Sequence, residues 1–305
     1  MRIFKNRGDI FFSKTNKEKS TEQKILITAL ISIVLFTCVF LTVTAIKNNF
    51  SAKEFFAPEK LEVTQAQEEE YIPPQISGKT NYLVLVGEKS NLLFAVIIQT
   101  DSDNISYKLT SLKASTVIDG KSIADVYKKS SAQNVKTAVE SMLSTKIDYY
   151  ISMQSDKFAE IYSKFGEINY PVISDIKFKN NNSAVPYSLK IKEGEQKIKG
   201  SQLIGLMRYY LDEKSNTSVA NDIFLSVVSQ QINENNAQKS EELFQYFITN
   251  CETNITVKNF SASRDTIEVF SDERSGVNIY NAPAEYKNNK IIASSLKEIK
   301  GYFVK

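Results

Sequence analysis

The sequence predicts a mixed α/β domain, with a central sheet flanked by helices, carried on a single N-terminal transmembrane helix. Three observations indicate this class. A run without any charge extends from Ile25 to Ile46. Short apolar runs of the kind that form buried strands begin at Tyr82. Segments with helical apolar spacing lie between and after these runs, and strands that alternate with helices are typical of an α/β layer fold.

The uncharged run, residues 25–46, predicts a membrane anchor. It is rich in Ile, Leu, Val and Phe, and at about 1.5 Å of rise per residue such a helix crosses the roughly 30 Å core of a bilayer. No small-residue cleavage site follows Ile46, which favours an uncleaved anchor over a removed signal peptide.

Residues 1–24 indicate the orientation of this anchor in the cell membrane. Basic side chains outnumber acidic ones in this head, and such an excess keeps its side cytoplasmic. We therefore expect a cytoplasmic N-terminus and an extracellular C-terminal domain. The basic residues are Arg2, Lys5, Arg7, Lys14, Lys17, Lys19 and Lys24, and the acidic residues are Asp9, Glu18 and Glu22.

Residues 47–79 are expected to form an extracellular linker. They contain three consecutive glutamates, Glu68 to Glu70, and the pair Pro73-Pro74, with little apolar periodicity. Residues 80–305 then form one external domain, which is long enough to bury a core of its own.

Within this domain the apolar runs predict strands and the helically spaced positions predict helices. Strands are predicted at 82–86, 92–98, 107–112, 147–153 and 168–173. Helices are predicted at 132–143, 158–165, 200–210, 218–232 and 241–248, and residues 174–186 are expected to form a hairpin tip or an exposed loop. The tail is expected to add edge strands at 267–270, 277–280 and 291–292 and a terminal helix at 295–303.

Composition excludes several functions. The chain carries a net charge of +3 that comes from its N-terminal head, so the external domain offers no field for nucleic acid. The chain has no histidine, which excludes a Ser-His-Asp triad and histidine metal sites. Cys38 lies inside the predicted anchor and Cys251 is alone outside it, so no disulfide is expected within the external domain, and two distant cysteines exclude a zinc-cysteine cluster. No phosphate-binding or nucleophile-elbow motif occurs.

The order of several motifs resembles the LytR-CpsA-Psr family over residues 81–232. The most specific stretch runs from Gly194 to Arg208, where glycines, a hydrophobe, a glutamine and an arginine occur at the family's spacing. Supporting segments are 81–87, 111–116, 147–151, Phe158 with Phe165-Gly166, and Gln230-Gln231. The resemblance implies a bacterial cell-envelope protein with a mixed α/β fold. Members transfer glycan polymers from a polyprenyl-pyrophosphate carrier to peptidoglycan, using an apolar tunnel, an arginine cluster and acidic residues that hold magnesium.

Several positions depart from the family pattern. The family has an acidic residue after its first loop, where this chain has Leu93. In the next element the family has an arginine and an aspartate, where this chain has Ala114 and Ser115. The family also has a pair of arginines two positions apart. Arg208 matches the first of them, and Tyr210 occupies the position of the second. A pyrophosphate in transfer needs guanidinium groups or a metal to meet its developing charge. These losses predict a degenerate site without catalytic residues and without a metal, and no cofactor is expected unless an active enzyme uses magnesium.

Two residues remain as candidate ligand contacts. Arg208 is either a phosphate contact or the partner of an ordinary salt bridge to Asp212, and Lys113 is either an anion contact or a surface lysine. The apolar positions of the helices either line a lipid tunnel or form plain core packing.

The leading hypothesis is a membrane-anchored, non-catalytic protein that binds a polyprenyl-linked glycan carrier or an envelope partner, with no nucleic acid. One alternative is an active phosphotransferase that attaches polyprenyl-pyrophosphate-linked glycopolymer to peptidoglycan, using shifted residues such as Lys113, Arg208, Asp119 or Asp125. The other is a structural docking protein of the envelope, acting through its C-terminal region.

Overall fold

A computed structural model of the chain describes residues 73–129 and 131–304. The predicted head, the predicted anchor at 25–46 and most of the predicted linker lie outside these ranges. Among the described residues, no helix combines the length and the apolar character that a membrane span requires.

Three long antiparallel strands form the centre of the sheet, as the apolar runs predict. They are β1 (Lys79–Glu88), β2 (Asn91–Asp101) and β3 (Ser106–Lys113). Their runs are apolar without interruption because both faces of the sheet are covered, so successive side chains enter two different cores.

Three further strands complete a six-stranded mixed sheet. β6 (Tyr149–Gln154) pairs parallel to β1, β11 (Glu252–Thr253) pairs antiparallel to β6, and β12 (Asn278–Asn281) pairs parallel to β3. The spatial order is therefore β11-β6-β1-β2-β3-β12. The mixed α/β class predicted from the sequence is confirmed.

One face of the sheet packs against three helices: α1 (Ile123–Lys129), α2 (Ala132–Leu143) and α10 (Ala293–Tyr302). Leu83, Leu85 and Ile97 of the sheet meet Val135, Val139 and Phe303 in this core. The opposite face packs against α3 (Ser155–Phe165), α4 (Gly200–Arg208) and α5 (Thr217–Gln231).

Short hairpins connect these layers. One pairs β8 (Ile176–Asn180) with β9 (Tyr187–Ile191), so the irregular stretch at 174–186 supplies one strand and the tip of a hairpin. The other small pairs are β4 (Val117–Ile118) with β5 (Lys121–Ser122), β7 (Asn169–Val172) with β10 (Gly194–Lys197), and β13 (Tyr286–Lys287) with β14 (Lys290–Ile291).

Four helices follow α5: α6 (Glu234–Gln238), α7 (Ser240–Thr249), α8 (Val257–Ala262) and α9 (Arg264–Ser271). The Asn236 side chain ties α6 to the end of α3 by donating to the carbonyl of Phe165 at 2.7 Å.

The expectation of an edge strand at 267–270 is wrong, because these residues lie in α9. Val269 and Phe270 are buried there, and Ile267 lines a cavity. A short apolar run has the same appearance in a strand and in a buried helical turn. Strand β12 and helix α10, in contrast, lie close to their predicted positions.

The stretch that resembles the LytR-CpsA-Psr motif has clear structural roles. Gly194 adopts a φ of +93°, which a side chain would strain, in the turn that leads into β10. Ile198 is fully buried in the core. Gln202 caps α4, since its side-chain oxygen accepts a hydrogen bond from the Lys199 N–H at 2.9 Å. Much of this motif therefore shapes the start of α4.

Candidate functional site

Arg208, at the end of α4, is held inside the protein. The residue is 6% exposed, and its Nη2 donates to the carbonyl of Val185 at 2.6 Å. Its guanidinium stacks on the ring of Tyr187, with 3.9 Å from Cζ to the ring centroid. Burial lowers the pKa of Arg208, while Tyr187 and Asp212 raise it. Arg208 therefore fastens the hairpin of β8 and β9 to α4, and among its atoms the buried Nε has no partner in the described part of the chain.

Lys113 ends β3 and is 7% exposed, so it is not the surface lysine that one interpretation of the sequence describes. Its ammonium group donates to Ser215 Oγ at 2.8 Å and lies 4.8 Å from the centroid of the Tyr286 ring. Burial lowers the pKa of Lys113, and Asp212 raises it in part.

A π-helical turn, Tyr209–Glu213, continues α4 and presents Asp212 to both cations. Asp212 reaches solvent, yet protein surrounds its carboxylate and raises its pKa to about 6, an effect that Arg208 and Lys113 oppose. No salt bridge within 4.0 Å joins Arg208 to Asp212 among the described ion pairs. We use the name polar cleft for the group formed by Lys113, Arg208, Asp212 and Ser215. π-Helical turns occur often at functional sites.

The residues at the substituted motif positions are all uncharged. Leu93 is 4% exposed and packs in the core, and Ala114 is partly buried. Ser115 donates to the Asn289 side chain at 3.4 Å, and Tyr210 makes an edge contact with Tyr209. Asp119 and Asp125, considered for a shifted active site, belong to the β4–β5 turn and α1, elements that pack on the other face of the sheet.

An apolar cavity of about 370 Å³ lies between the sheet and helices α5 to α9. Its volume is within the range of small-molecule sites. None of its described lining residues carries a charge. Lining side chains from the sheet include Tyr82, Ile98, Tyr107 and Ile151, and those from the helices include Ala237, Leu243, Phe247, Phe260, Ile267 and Phe270.

The cavity and the polar cleft share one face of the sheet. Alternate residues of β3 point to the same face, and on this strand Tyr107 lines the cavity whereas Lys113 lines the cleft. The two residues are about 20 Å apart along the strand at roughly 3.3 Å of rise per residue.

Three buried aromatic rings pack on this sheet face at the level of Lys113. Phe94, which pairs with Lys113 across β2 and β3, makes an edge contact with Phe158 at 6.2 Å between ring centroids. Phe158 in turn stacks on Phe224 at 6.4 Å. These rings are almost fully buried, so this end of the sheet face is closely packed.

The fold and the cavity define a mixed-sheet α/β domain with an apolar cavity between the sheet and its helices. The family model described as "LytR_cpsA_psr family" matches residues 94–300. Because this match covers more than half of the sequence, the chain belongs to the LytR-CpsA-Psr family.

Relatives with known structures share this architecture. TagV of Bacillus subtilis strain 168, a polyisoprenyl-teichoic acid–peptidoglycan teichoic acid transferase, is 22% identical over 202 residues, which cover 62% of this chain and 51% of TagV. The match thus spans about half the length of that curated relative. The crystal structure of TagV superposes with a TM-score of 0.58 at 18% identity, over 75% of this chain and 96% of that one.

Two other solved structures are similar. A putative transcription regulator from Eubacterium siraeum DSM 15702 gives a TM-score of 0.64 at 18% identity, covering 80% of this chain and 98% of that one. TagT bound to LI-WTA gives 0.54 at 13% identity, covering 78% and 93%. At these identities the structural likeness shows the fold alone.

Sequence patterns locate Lys113 and Arg208, and the i+4 spacing of Asp212 from Arg208 indicates that carboxylate as well. Ser215 is a polar residue in the connection between α4 and α5, and nothing in its local pattern separates it from ordinary turn residues. The approach of Ser215 to Lys113 depends on how α4 packs.

Proposed function

We propose that this chain is a membrane-anchored cell-envelope protein whose LytR-CpsA-Psr domain binds a polyprenyl-linked glycan carrier without transferring the glycan. The proposal rests chiefly on the open, uncharged cavity of about 370 Å³ on the sheet face that also bears Lys113. A protein that had become a pure scaffold would have no reason to leave this space unfilled, since well-packed cores are more stable.

The relatives support a lipid-linked glycopolymer as the ligand class. TagV is named for a polyisoprenyl-linked teichoic acid substrate, and TagT is known in a complex with LI-WTA. By extension, the apolar part of such a ligand occupies the cavity here and its polar part lies outside. The predicted anchor at 25–46 would hold the domain beside the membrane that supplies this lipid.

The positions of the arginines support a non-catalytic role. Arg208 donates to Val185, Arg264 pairs with Glu241, and Arg274 binds Asp272 through two nitrogen atoms. The arginines of the described domain therefore serve separate local contacts instead of converging on one anion. A phosphoryl-transfer site gains most of its rate from converging cations.

The residues present do not fit the magnesium that the family resemblance implies. The acidic motif positions hold the buried Leu93 and the uncharged Ser115. Asp212 faces the cleft, but Lys113 and Arg208 already lie beside it, and a divalent cation there would be repelled by both. We therefore propose that ligand binding needs no magnesium.

The test is native mass spectrometry of the full-length protein in nanodiscs with a polyprenyl phosphate, a polyprenyl pyrophosphate and an uncharged polyprenol, each with and without magnesium. Ala237→Trp places an indole in the cavity and should weaken binding of all three lipids at least tenfold. Ala262→Trp is the matched control, because Ala262 is exposed at the end of α8 and should tolerate the ring.

Binding that appears only with magnesium, together with transfer of glycan to peptidoglycan, would instead support the phosphotransferase. Equal lipid occupancy in Ala237→Trp and the native protein would contradict the cavity as the lipid site. The docking alternative is favoured by one observation: Ile279 and Tyr280 of β12 are 44% and 42% exposed. Failure to bind any lipid, together with capture of an envelope protein that Tyr280→Lys abolishes, would support it.

A further inference from the structure

Lys113 and Ser215 form a close pair in the polar cleft. The proposed binding of lipid in the cavity does not involve this pair. The Lys113 ammonium nitrogen lies 2.8 Å from Ser215 Oγ. Lys113 is almost fully buried, whereas Ser215 is exposed to solvent. The pair therefore places a hydroxyl at the protein surface with an amine directly behind it.

The backbone holds Ser215 in an unusual conformation. Its φ is +52°, in the left-handed region that residues other than glycine and asparagine seldom adopt. The N–H groups of both neighbours are fixed, since Lys214 donates to the Tyr209 carbonyl at 3.0 Å and Asn216 to the Tyr210 carbonyl at 2.8 Å. The hydroxyl is thus presented by a turn that is fastened on both sides.

Burial lets the Lys113 amine lose its proton at a lower pH than an exposed lysine would, because it lowers the pKa of Lys113 below its usual value. The titratable groups that face it are the carboxylate of Asp212, which opposes this shift, and the phenol of Tyr286, whose ring lies beneath the ammonium group. Arg208 opposes the rise in the pKa of Asp212 that burial causes.

Backbone donors suited to a developing negative charge follow Ser215 directly in the sequence. Helix α5 begins at Thr217, two residues after Ser215, and it is capped by the Asn216 side chain, which accepts from the Val219 N–H at 3.1 Å. The N–H groups of Thr217 and Ser218 belong to the first turn, whose donors have no partner inside a helix. The positive end of the helix dipole adds to their effect.

We propose that Ser215 is a nucleophile and Lys113 its general base in an acyl-transfer site that takes an acyl ester from the cleft. This activity goes beyond the proposed carrier binding and does not depend on it. Serine–lysine pairs are a recognised alternative to the histidine-containing triad, and this chain has no histidine.

The reaction balances without a cofactor. Neutral Lys113 accepts the Ser215 hydroxyl proton while Oγ forms a bond to the ester carbonyl carbon. When the tetrahedral intermediate collapses, the bond from carbon to the leaving oxygen breaks, and Lys113 returns the proton to that oxygen. Lys113 then deprotonates water or an acceptor alcohol, which attacks the acyl carbon and releases Ser215 with its proton restored.

The experiment treats the full-length protein in nanodiscs with a biotinylated fluorophosphonate and maps the label by peptide mass spectrometry. Ser215 should be modified in the folded protein and not after heat denaturation. The rate of labelling should rise with pH, because only the neutral amine accepts the proton. Lys113→Arg keeps the charge but cannot act as a base, and should slow labelling at least about a hundredfold. Lys214→Arg, at the neighbouring exposed lysine, should label at the native rate.

Three results would overturn the proposal. They are the absence of label on Ser215 in the folded native protein at any pH from 7 to 10, the same rate after denaturation, and native labelling in a folded Lys113→Arg protein. The first two use the native sequence and hold even if the variant fails to fold. Hydrolysis of p-nitrophenyl butyrate with a burst equal to the labelled fraction would support the acyl-ester class.

Discussion

Gly200, the first residue of α4, lies directly against Ala159 of α3. A Cβ atom on Gly200 would approach the Cα of Ala159 to 2.7 Å and its carbonyl oxygen to 2.9 Å. Both are backbone atoms, so rotation of a side chain cannot relieve the contact. This glycine of the family-like motif is therefore explained by the close approach of two helices, and it brings Arg208, at the other end of α4, to its place beside the hairpin.

Gly200→Ala should destabilise the fold. The added methyl group forces α4 away from α3, and overpacking of this kind costs about 1–3 kcal/mol. Urea unfolding followed by circular dichroism measures the change in the free energy of unfolding. Gly301→Ala is the control, because nothing lies within 4 Å of a Cβ at that helical position, and it should be neutral or slightly stabilising. Equal unfolding midpoints for both variants would contradict the packing account.

Arg208→Met should also lower stability. The substitution leaves the Val185 carbonyl without its donor and removes the stack on Tyr187, a loss of about 1–3 kcal/mol for the unpaired buried group alone. Arg264→Met removes an exposed ion pair with Glu241 and should change the free energy of unfolding by less than about 1 kcal/mol. A stably folded Arg208→Met protein with weakened binding of polyprenyl phosphate would show instead that the guanidinium contacts the ligand.

Asp212 should make stability depend on pH. Its pKa in the folded protein is about 6, above the ordinary value of 3.8 for an aspartate. Because its pKa is higher in the folded protein than in the unfolded chain, Asp212 stabilises the fold at pH values below its unfolded pKa. This contribution is lost as the pH rises through about 6. Asp212→Asn should therefore show a smaller fall in Tm than the native protein between pH 4 and pH 7.

Asp175 provides a control, because its contribution to stability should change with pH in the opposite direction. A hydrogen bond from Lys192 holds the pKa of Asp175 below its usual value, so its contribution is present near neutral pH and is lost on acidification. Asp175→Asn should lower Tm more at pH 7 than at pH 3. A Tm of Asp212→Asn that falls as steeply as that of the native protein would refute the assignment for Asp212.

Phe158→Ala should open space among the aromatic rings that pack at the level of Lys113. Loss of a buried phenyl ring costs about 3–5 kcal/mol, and we expect the space it leaves to extend the apolar interior, since Phe158 belongs to the same core as the cavity-lining Val84. We expect the variant to prefer polyprenyl phosphates with longer chains, measured by competition in native mass spectrometry. Phe260→Ala enlarges the cavity on its helical side, away from Phe94, and should not produce this preference. A longer-chain preference in Phe260→Ala alone would place the ligand path elsewhere.

The central strands are predictable because burial on both faces leaves an uninterrupted apolar run, as in residues 92–98 of β2. The amphipathic helices follow from spacing, as in α2, where Val135, Val139 and Leu143 face the core. The prediction of a strand at residues 267–270 is wrong because a four-residue apolar run is too short to show a helical period.

The site is less predictable than the fold. Lys113 looks like a surface residue at a strand end, and its burial results from the Tyr286 ring, which is remote in sequence. The same holds for Ser215, whose partner comes from a strand 102 residues away. Local periodicity carries no information on such contacts, which depend on tertiary packing.

The pairing of β12 with β3 has a consequence for how the chain reaches its native state. Asn278 lies beside Ser106, so the outer row of the sheet joins segments from near the two ends of the domain. Closing so long a loop is slow relative to forming the β1–β2–β3 meander, whose contacts are local in sequence. The free side of β3 stays uncovered until residues beyond 281 have been synthesised, and an unpaired strand edge of this kind is open to association with other chains in that interval.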